Sequence, residues 1–369
     1  MAETSLYIGL MSGTSLDGVD AVLASFDPQG RPTLLARAAV DFPPTLRTEL
    51  LGLNAKGIDE LERSALAANA LVELYAQAVK KVLSLAQVSP QDVAALGAHG
   101  QTVRHRPDLG FTIQLNAPAL LAELTGISVI ADFRSRDVAA GGQGAPLVPI
   151  FHAGVFPADY TRVILNLGGI ANISILRPQQ PPLGFDTGPA NVLMDMWCAQ
   201  HTGQSFDQDG AWGNTGALDA TVLAHLIASE PWFKLPAPKS TGRDLFNRHW
   251  LDQRLAPFTL AAQDAPNIQA TLRHLTAQTV TQCVMTYASD VKEVLVCGGG
   301  ARNKALMLDL QQSMPCPVRM TDCEGIGTQD VEAMAFAWLA WTHQQGISAG
   351  NPAVTGASGP RILGACWPA

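Results

Sequence analysis

No stretch of this 369-residue chain is apolar for long enough to cross a bilayer as a helix; the longest apolar runs, such as 333–341, fall far short. The opening residues Met1-Ala2-Glu3-Thr4-Ser5 carry no basic charge, and the apolar stretch behind them is short, so no secretory leader is expected. The six cysteines, Cys198, Cys283, Cys297, Cys316, Cys323 and Cys366, form no Cys-x-x-Cys pair. They are expected as small buried hydrophobes in a reducing cytoplasm, not as a disulfide framework. Excess positive charge is also missing. The net charge of −8 argues against a protein that coats nucleic acid or an anionic membrane. A small anionic substrate stays compatible, because a few local arginines or helix N-termini suffice to bind one.

Several catalytic signatures are absent as well. Gly-Lys-Ser/Thr occurs nowhere, which excludes a P-loop. The one triple-glycine turn lacks the spacing of Gly-x-Gly-x-x-Gly, which weakens a dinucleotide-binding reading. The eight histidines show neither His-Glu-x-x-His nor paired zinc spacing, so a zinc enzyme is not expected. No Gly-x-Ser-x-Gly elbow is present, which argues against an α/β-hydrolase. Any nucleotide site must be built by another device.

What is present is an ordinary core-forming chain, 47% hydrophobic and 15% charged, long enough for two domains. The pattern predicts strands at 5–10, 19–26 and 33–42 as an antiparallel meander. A helix follows over 59–85, with Leu61, Leu66, Leu71, Leu74, Val79 and Val82 near helical spacing. Strands at 93–98, 111–115 and 128–131 and a helix at 117–124 complete the first half. The second half repeats the opening device: strand 162–167, a glycine turn, strand 170–176. Helices at 189–202, 218–228, 245–255 and 268–289 lead to a buried strand at 293–297. A helix at 304–314, a strand at 318–320 and an apolar helix at 329–343 follow. The Gly- and Pro-rich tail from Gly346 reads as irregular. The recurrence suggests two related α/β domains, divided in 141–149 or 157–160 and taken as 1–145 and 146–369.

Four motifs carry candidate chemistry. Gly9-Leu-Met-Ser12-Gly13-Thr14-Ser15-Leu16-Asp17-Gly18-Val19-Asp20 is a hairpin rich in glycine and hydroxyls. Backbone N–H groups converging there can bind phosphate without a lysine, and Asp17 and Asp20 offer carboxylates to Mg²⁺. It also suits a plain polar hairpin. Asn166-Leu-Gly168-Gly169-Ile-Ala-Asn172 is a second such turn, with Asn in place of Asp; close backbone packing is its other reading. Gly184-Phe-Asp186-Thr-Gly-Pro189-Ala-Asn191 places Asp186 at a strand end, with Pro189 expected in the first turn of a helix. Asp186 there suits a general base for phosphoryl transfer, or a structural cap. Cys297-Gly298-Gly299-Gly300-Ala-Arg302-Asn303 turns from strand to helix and lets a flat ligand approach, or is simply a tight turn.

Three further clusters are polar. His99-Gly100-Gln101-Thr102 closes a buried strand, as a ligand contact or a polar cap. Asp132-Phe-Arg134-Ser-Arg136-Asp137 closes another; the Arg134 and Arg136 pair suits a carboxylate ligand or an internal salt bridge to Asp132 or Asp137. Glu332 opens the last apolar helix, either as a favourable first-turn charge or aimed at a ligand.

In order along the whole chain, GLMSGTSLDGVD, GAHGQT, ADFRSRDV, NLGGIAN, GFDTGPAN and GGGARN resemble the anhydro-N-acetylmuramic acid kinase family. The resemblance implies a two-domain actin-like (ribonuclease H-like) fold of the hexokinase–Hsp70 class, with ATP in a central interdomain cleft. It implies hydrolytic opening of the 1,6-anhydro ring with phosphorylation of O6, in cytoplasmic peptidoglycan recycling, by a homodimer that needs ATP and Mg²⁺. Carried onto these residues, Gly13, Thr14, Ser15, Leu16, Asp17, Gly18, Val19 and Asp20 are the phosphate loop, and Asn166, Gly168 and Gly169 the second phosphate hairpin. Gly298, Gly299 and Gly300 lie by the adenosine, and Asp186 is the base. His99, Gln101, Arg134 and Glu332 are assigned to the sugar. Gly9 departs from the wider actin-like pattern, where many relatives place a metal-associated Asp, so Asp17 is only a candidate metal ligand. A conventional hexose kinase and an ATPase that switches a binding surface are the alternatives.

Overall fold

Tyr7, Ile8 and Leu10 are almost wholly buried in β1 (Ser5–Met11), because this strand is covered on both faces. It pairs antiparallel with β2 (Gly18–Phe26), which pairs antiparallel with β3 (Pro32–Asp41). The structure, a computed structural model, describes residues 4–13 and 16–369. After α1 (Pro44–Gly52) and α2 (Glu60–Ala86), β4 (Val93–Ala98) runs parallel to β1. A two-stranded hairpin of β5 (Gln101–Arg106) and β6 (Phe111–Leu115) follows. Next come α3 (Pro118–Thr125), β7 (Val129–Ala131) parallel to β4, α4 (Ser135–Ala139) and α5 (Pro149–Val155).

The second unit, Pro157–Gln329, repeats this plan. β8 (Arg162–Leu167), β9 (Ile170–Leu176) and β10 (Leu183–Pro189) form the meander. Helices α6 (Asn191–Thr202), α7 (Ala220–Ala228), α8 (Arg248–Leu255) and α9 (Ala265–Tyr287) follow. β11 (Glu293–Cys297) joins parallel to β8, and after α10 (Lys304–Ser313), β12 (Val318–Met320) joins parallel to β11. The chain then returns to the first unit with α11 (Val331–Gln344), the short α12 (Pro352–Thr355) and β13 (Ala365–Trp367), antiparallel to β7.

The sheet orders are β13-β7-β4-β1-β2-β3 and β10-β9-β8-β11-β12. In each, an antiparallel meander continues from its first strand into two parallel strands. This repeated order is the actin-like, ribonuclease H-like plan implied by the motifs. Each unit has its own apolar core: Ile8, Leu71, Tyr75 and Leu96 lie in the first, Leu165, Phe185, Leu272 and Val296 in the second.

Several expectations need correction. The compact units are Met1–Phe156 with Asp330–Ala369, and Pro157–Gln329, not 1–145 and 146–369. The last segment rejoins the first unit because α11 packs on β1 and β4, and because β13 completes the sheet beside β7. The tail is therefore not wholly irregular. Leu61 and Leu66 are 89% and 61% exposed; the buried stripe of α2 begins at Ala67. Of the six unpaired cysteines, Cys323 and Cys366 are exposed. Among the described residues no helix is long and apolar enough to cross a membrane.

Candidate functional site

In the first unit, parallel pairing of β1 with β4 sets Leu10 beside Ala98, so Ser12 and Gly13 leave the sheet side by side with the 99–101 segment. Buried Ser12 donates through Oγ to the Gly100 carbonyl at 2.9 Å and lies 3.0 Å from the Tyr75 hydroxyl. Tyr75 Oη in turn accepts the Gly100 N–H at 3.1 Å. Since Oη accepts from Gly100 and Ser12 donates to Gly100, the Tyr75 proton goes to Ser12 Oγ. Tyr75 thus closes a triangle beneath the turn, and burial raises its pKa. It was not among the sequence candidates. A lone tyrosine on an otherwise aliphatic helix stripe was the available signal.

Gln101 is 1% exposed, and its Nε2 donates to the Gly13 carbonyl at 3.2 Å. It ties down the turn. Leu16, with φ of 57°, and Val19 point into the core, so any ligand contact they make is through the main chain. Gly18 is glycine because a Cβ there would stand 2.4 Å from the Val40 carbonyl oxygen on β3. Asp17 is 75% exposed, 3.9 Å from Arg47, and Asp20 is exposed on β2. Thr14 and Ser15 lie outside the described residues.

His99 is buried against Phe336, at 4.7 Å between ring centroids. Its Nε2 accepts from Arg134 Nε at 3.1 Å and lies 3.0 Å from Arg134 Nη2. The ring proton therefore sits on Nδ1. Burial, reinforced by the Arg134 charge, pushes the imidazole pKa down to about 3, so His99 is neutral. Arg134 Nη1 also donates to the Gly144 carbonyl at 2.8 Å. His99 thus orients Arg134. Glu332 is partly exposed in the first turn of α11.

In the second unit, register places Asn166 opposite Asn172, and Asn172 opposite Asp186. The three polar residues form one row across β8, β9 and β10. Asp186 is partly exposed, and its Oδ2 accepts the Thr241 N–H at 2.8 Å. β10 runs on through Pro189, which pairs with Ile170, and α6 starts at Asn191. Pro189 therefore ends the strand and does not open the helix. The amides of Ala190 and Val192 donate to the Gly169 carbonyl, and that of Asn191 to the Gly168 carbonyl. These helix-start donors hold the second hairpin in place.

Cys297 pairs with Asn166, which brings the triple-glycine turn beside that hairpin. Gly298 has φ of 83°, and a Cβ there would stand 2.3 Å from Asn166 Oδ1. At Gly300 it would meet the Leu167 Cβ at 2.7 Å. Both glycines are required by packing of the turn on the end of β8. The second unit thus gathers the second hairpin, the Asp186 motif and the triple-glycine turn around the ends of β8 and β11. The first unit gathers Ser12, Gly13, His99, Gln101 and Arg134.

The family model for anhydro-N-acetylmuramic acid kinase matches residues 5–369. The kinase of that name from Bordetella pertussis is 60% identical over 364 residues, which span 99% of this chain and 96% of its own. Its namesake from Chromobacterium violaceum is 49% identical over 367 residues, 99% of this chain and 100% of its own. With identity at this level over nearly the full length, the chain belongs to the anhydro-N-acetylmuramic acid kinase family.

Proposed function

We propose that the chain uses ATP to phosphorylate O6 of anhydro-N-acetylmuramic acid while water opens the 1,6-anhydro ring. The products are N-acetylmuramic acid 6-phosphate and ADP, formed in the cytoplasm during peptidoglycan recycling. The observation that carries this reading is the row Asn166, Asn172, Asp186, which ends on a partly exposed carboxylate fixed by a main-chain donor. An O6 locked in the anhydro bridge has no proton to remove. Asp186 therefore takes its proton from the water that attacks C1. As the C1–O6 bond breaks, O6 gains charge and attacks the terminal phosphoryl group. Arg134, oriented by His99, and Glu332 hold the sugar.

The 13–20 turn and the Asn166–Gly168–Gly169 hairpin supply main-chain and amide donors to the phosphates, and residues 298–300 lie by the adenosine. Mg²⁺ is usually held by one or two carboxylates together with phosphate oxygens and water. The described residues contain no cluster of three or more His, Cys, Asp or Glu, but exposed Asp17, with Asp20, fits that mode. Bound there, the ion would neutralise charge on the transferring phosphoryl group. A homodimer completes the proposal, and light scattering in solution tests it.

The deciding experiment is turnover with ATP, Mg²⁺ and the anhydro sugar in oxygen-18 water, followed by mass spectrometry. The expected product is the 6-phosphate with one solvent oxygen at C1. A phosphorylated sugar without label would point to a conventional hexose kinase. ATP hydrolysis with no sugar product would point to a switching ATPase.

A further inference from the structure

Lys239 is a buried lysine with no role in the scheme above. It is 8% exposed, and among the described residues no carboxylate lies within ion-pair distance of its ammonium. Nζ donates to the carbonyls of Phe233 at 3.0 Å and Trp232 at 3.4 Å, and sits 4.3 Å from the Trp232 ring centroid. Burying an ammonium without a paired carboxylate is costly. The segment it belongs to suggests what that cost secures.

Residues 237–241 run along the edge of β10 at Asp186. The Asp186 N–H donates to the Lys239 carbonyl at 3.0 Å, and the Thr241 N–H donates to Asp186 Oδ2 at 2.8 Å. Other anchors hold the same segment. The Ala237 N–H donates to the Tyr287 hydroxyl at 2.9 Å, and the Trp232 Nε1–H to the Ser240 carbonyl at 3.1 Å. Tyr287 packs edge-on against Phe185, the neighbour of Asp186, at 4.9 Å. Burial lowers the Lys239 pKa, while Cys283 and Asp186 favour its charged form.

We propose that Lys239 is a positioning residue for the reaction: it clamps residues 237–241 against the Trp232–Phe233 carbonyls, so that the Thr241 amide keeps the Asp186 carboxylate in the orientation that receives the proton of the attacking water. This rests on Asp186 being the base. Lys239 touches no reacting atom. Its effect passes through the 239–241 backbone.

The test measures kcat, both KM values and thermal midpoints of the full chain carrying Lys239→Met, Asp186→Asn, or both. Lys239→Met is expected to lower kcat about 10-fold with KM values within about twofold, as for loss of an interaction used only in the transition state. In the Asp186→Asn background it is expected to have no further effect, since the two act as one unit. A merely structural lysine would lower the folded fraction and act additively. Wild-type kcat in Lys239→Met, or an additional loss in the double variant, overturns the inference. Near-normal kcat in Asp186→Asn overturns the base assignment instead, so the two failures are distinguishable. If Lys239→Met does not fold, Trp232→Phe reads the same clamp, because it removes the indole N–H to Ser240. A kcat about threefold lower, again absent in the Asp186→Asn background, is expected; a wild-type kcat overturns the inference.

Discussion

Gly9 on β1 and Ala333 on α11 approach so closely that a Cβ on Gly9 would stand 1.8 Å from the Ala333 carbonyl oxygen and 2.6 Å from the Ala337 nitrogen. The same helix crosses β4 at Gly97, where a Cβ would meet the Phe336 carbonyl oxygen at 2.0 Å. This explains why position 9 departs from the wider actin-like pattern. Helix backbone fills the space a carboxylate would need. Gly9→Ala is therefore expected to destabilise the protein by at least about 1–3 kcal/mol, the usual result of overpacking. Thermal unfolding of Gly9→Ala at the wild-type midpoint would refute the contact.

Asp186→Asn preserves shape and the Thr241 hydrogen bond to an oxygen but removes the carboxylate proposed as the base. Turnover is expected to fall roughly 10²–10⁴-fold, the range general base catalysis supplies. ATP and sugar affinity, read by calorimetry, should stay near wild type. Rapid turnover in this variant would remove Asp186 from the role.

Tyr75→Phe deletes the hydroxyl that joins Ser12 to Gly100. It leaves the Gly100 N–H buried without its acceptor, which costs about 1–3 kcal/mol. Because Ser12, at the start of the proposed phosphate loop, is held by this triangle, KM for ATP is expected to rise along with the drop in denaturant midpoint. A stable variant with unchanged KM would show that the triangle does not support the turn.

Burial alone pushes the His152 pKa down to about 3, and its ring lies 6.0 Å from those of both Phe151 and Phe156. The unfolded imidazole titrates near 6.5, so the unfolded state binds the extra proton. The stability this supplies is fully present above pH 6.5 and is lost as pH falls from there toward 3. Between pH 7 and 5, His152 accounts for about 2 kcal/mol of lost unfolding free energy. His99, with its pKa also near 3, adds to the same trend. Denaturant titrations of His152→Phe should show a shallower acid dependence than the parent. Equal slopes would mean that His152 titrates alike in the folded and unfolded states.

The strands 93–98, 111–115, 162–167, 170–176, 293–297 and 318–320 have in the structure the limits expected from their residues. They are short apolar runs bounded by glycine or polar turns, a signal that needs no distant partner. β5 was not visible in this way, because Gln101-Thr-Val-Arg-His-Arg lacks apolar alternation and is a strand only through pairing with β6. β13 was hidden for the same reason, since its identity depends on β7. In the site, the glycine turns and Asp186 stood out by residue type. Tyr75 and Thr241 did not, because each acts on a group far away in the chain; Lys239 did not, because its segment meets Asp186 only once the strand edge of β10 is formed.

Residue order by itself determined the family, the recurrence of two α/β halves and the identity of the candidate base, because these reside in local motifs and short-range periodicity. Only the tertiary structure decided that the chain past Asp330 rejoins the first unit, that Gly9 has no room for a carboxylate, and that the 239–241 backbone grips Asp186. Those outcomes depend on which backbones meet across long sequence separations, and that is set by packing and strand pairing of the whole chain.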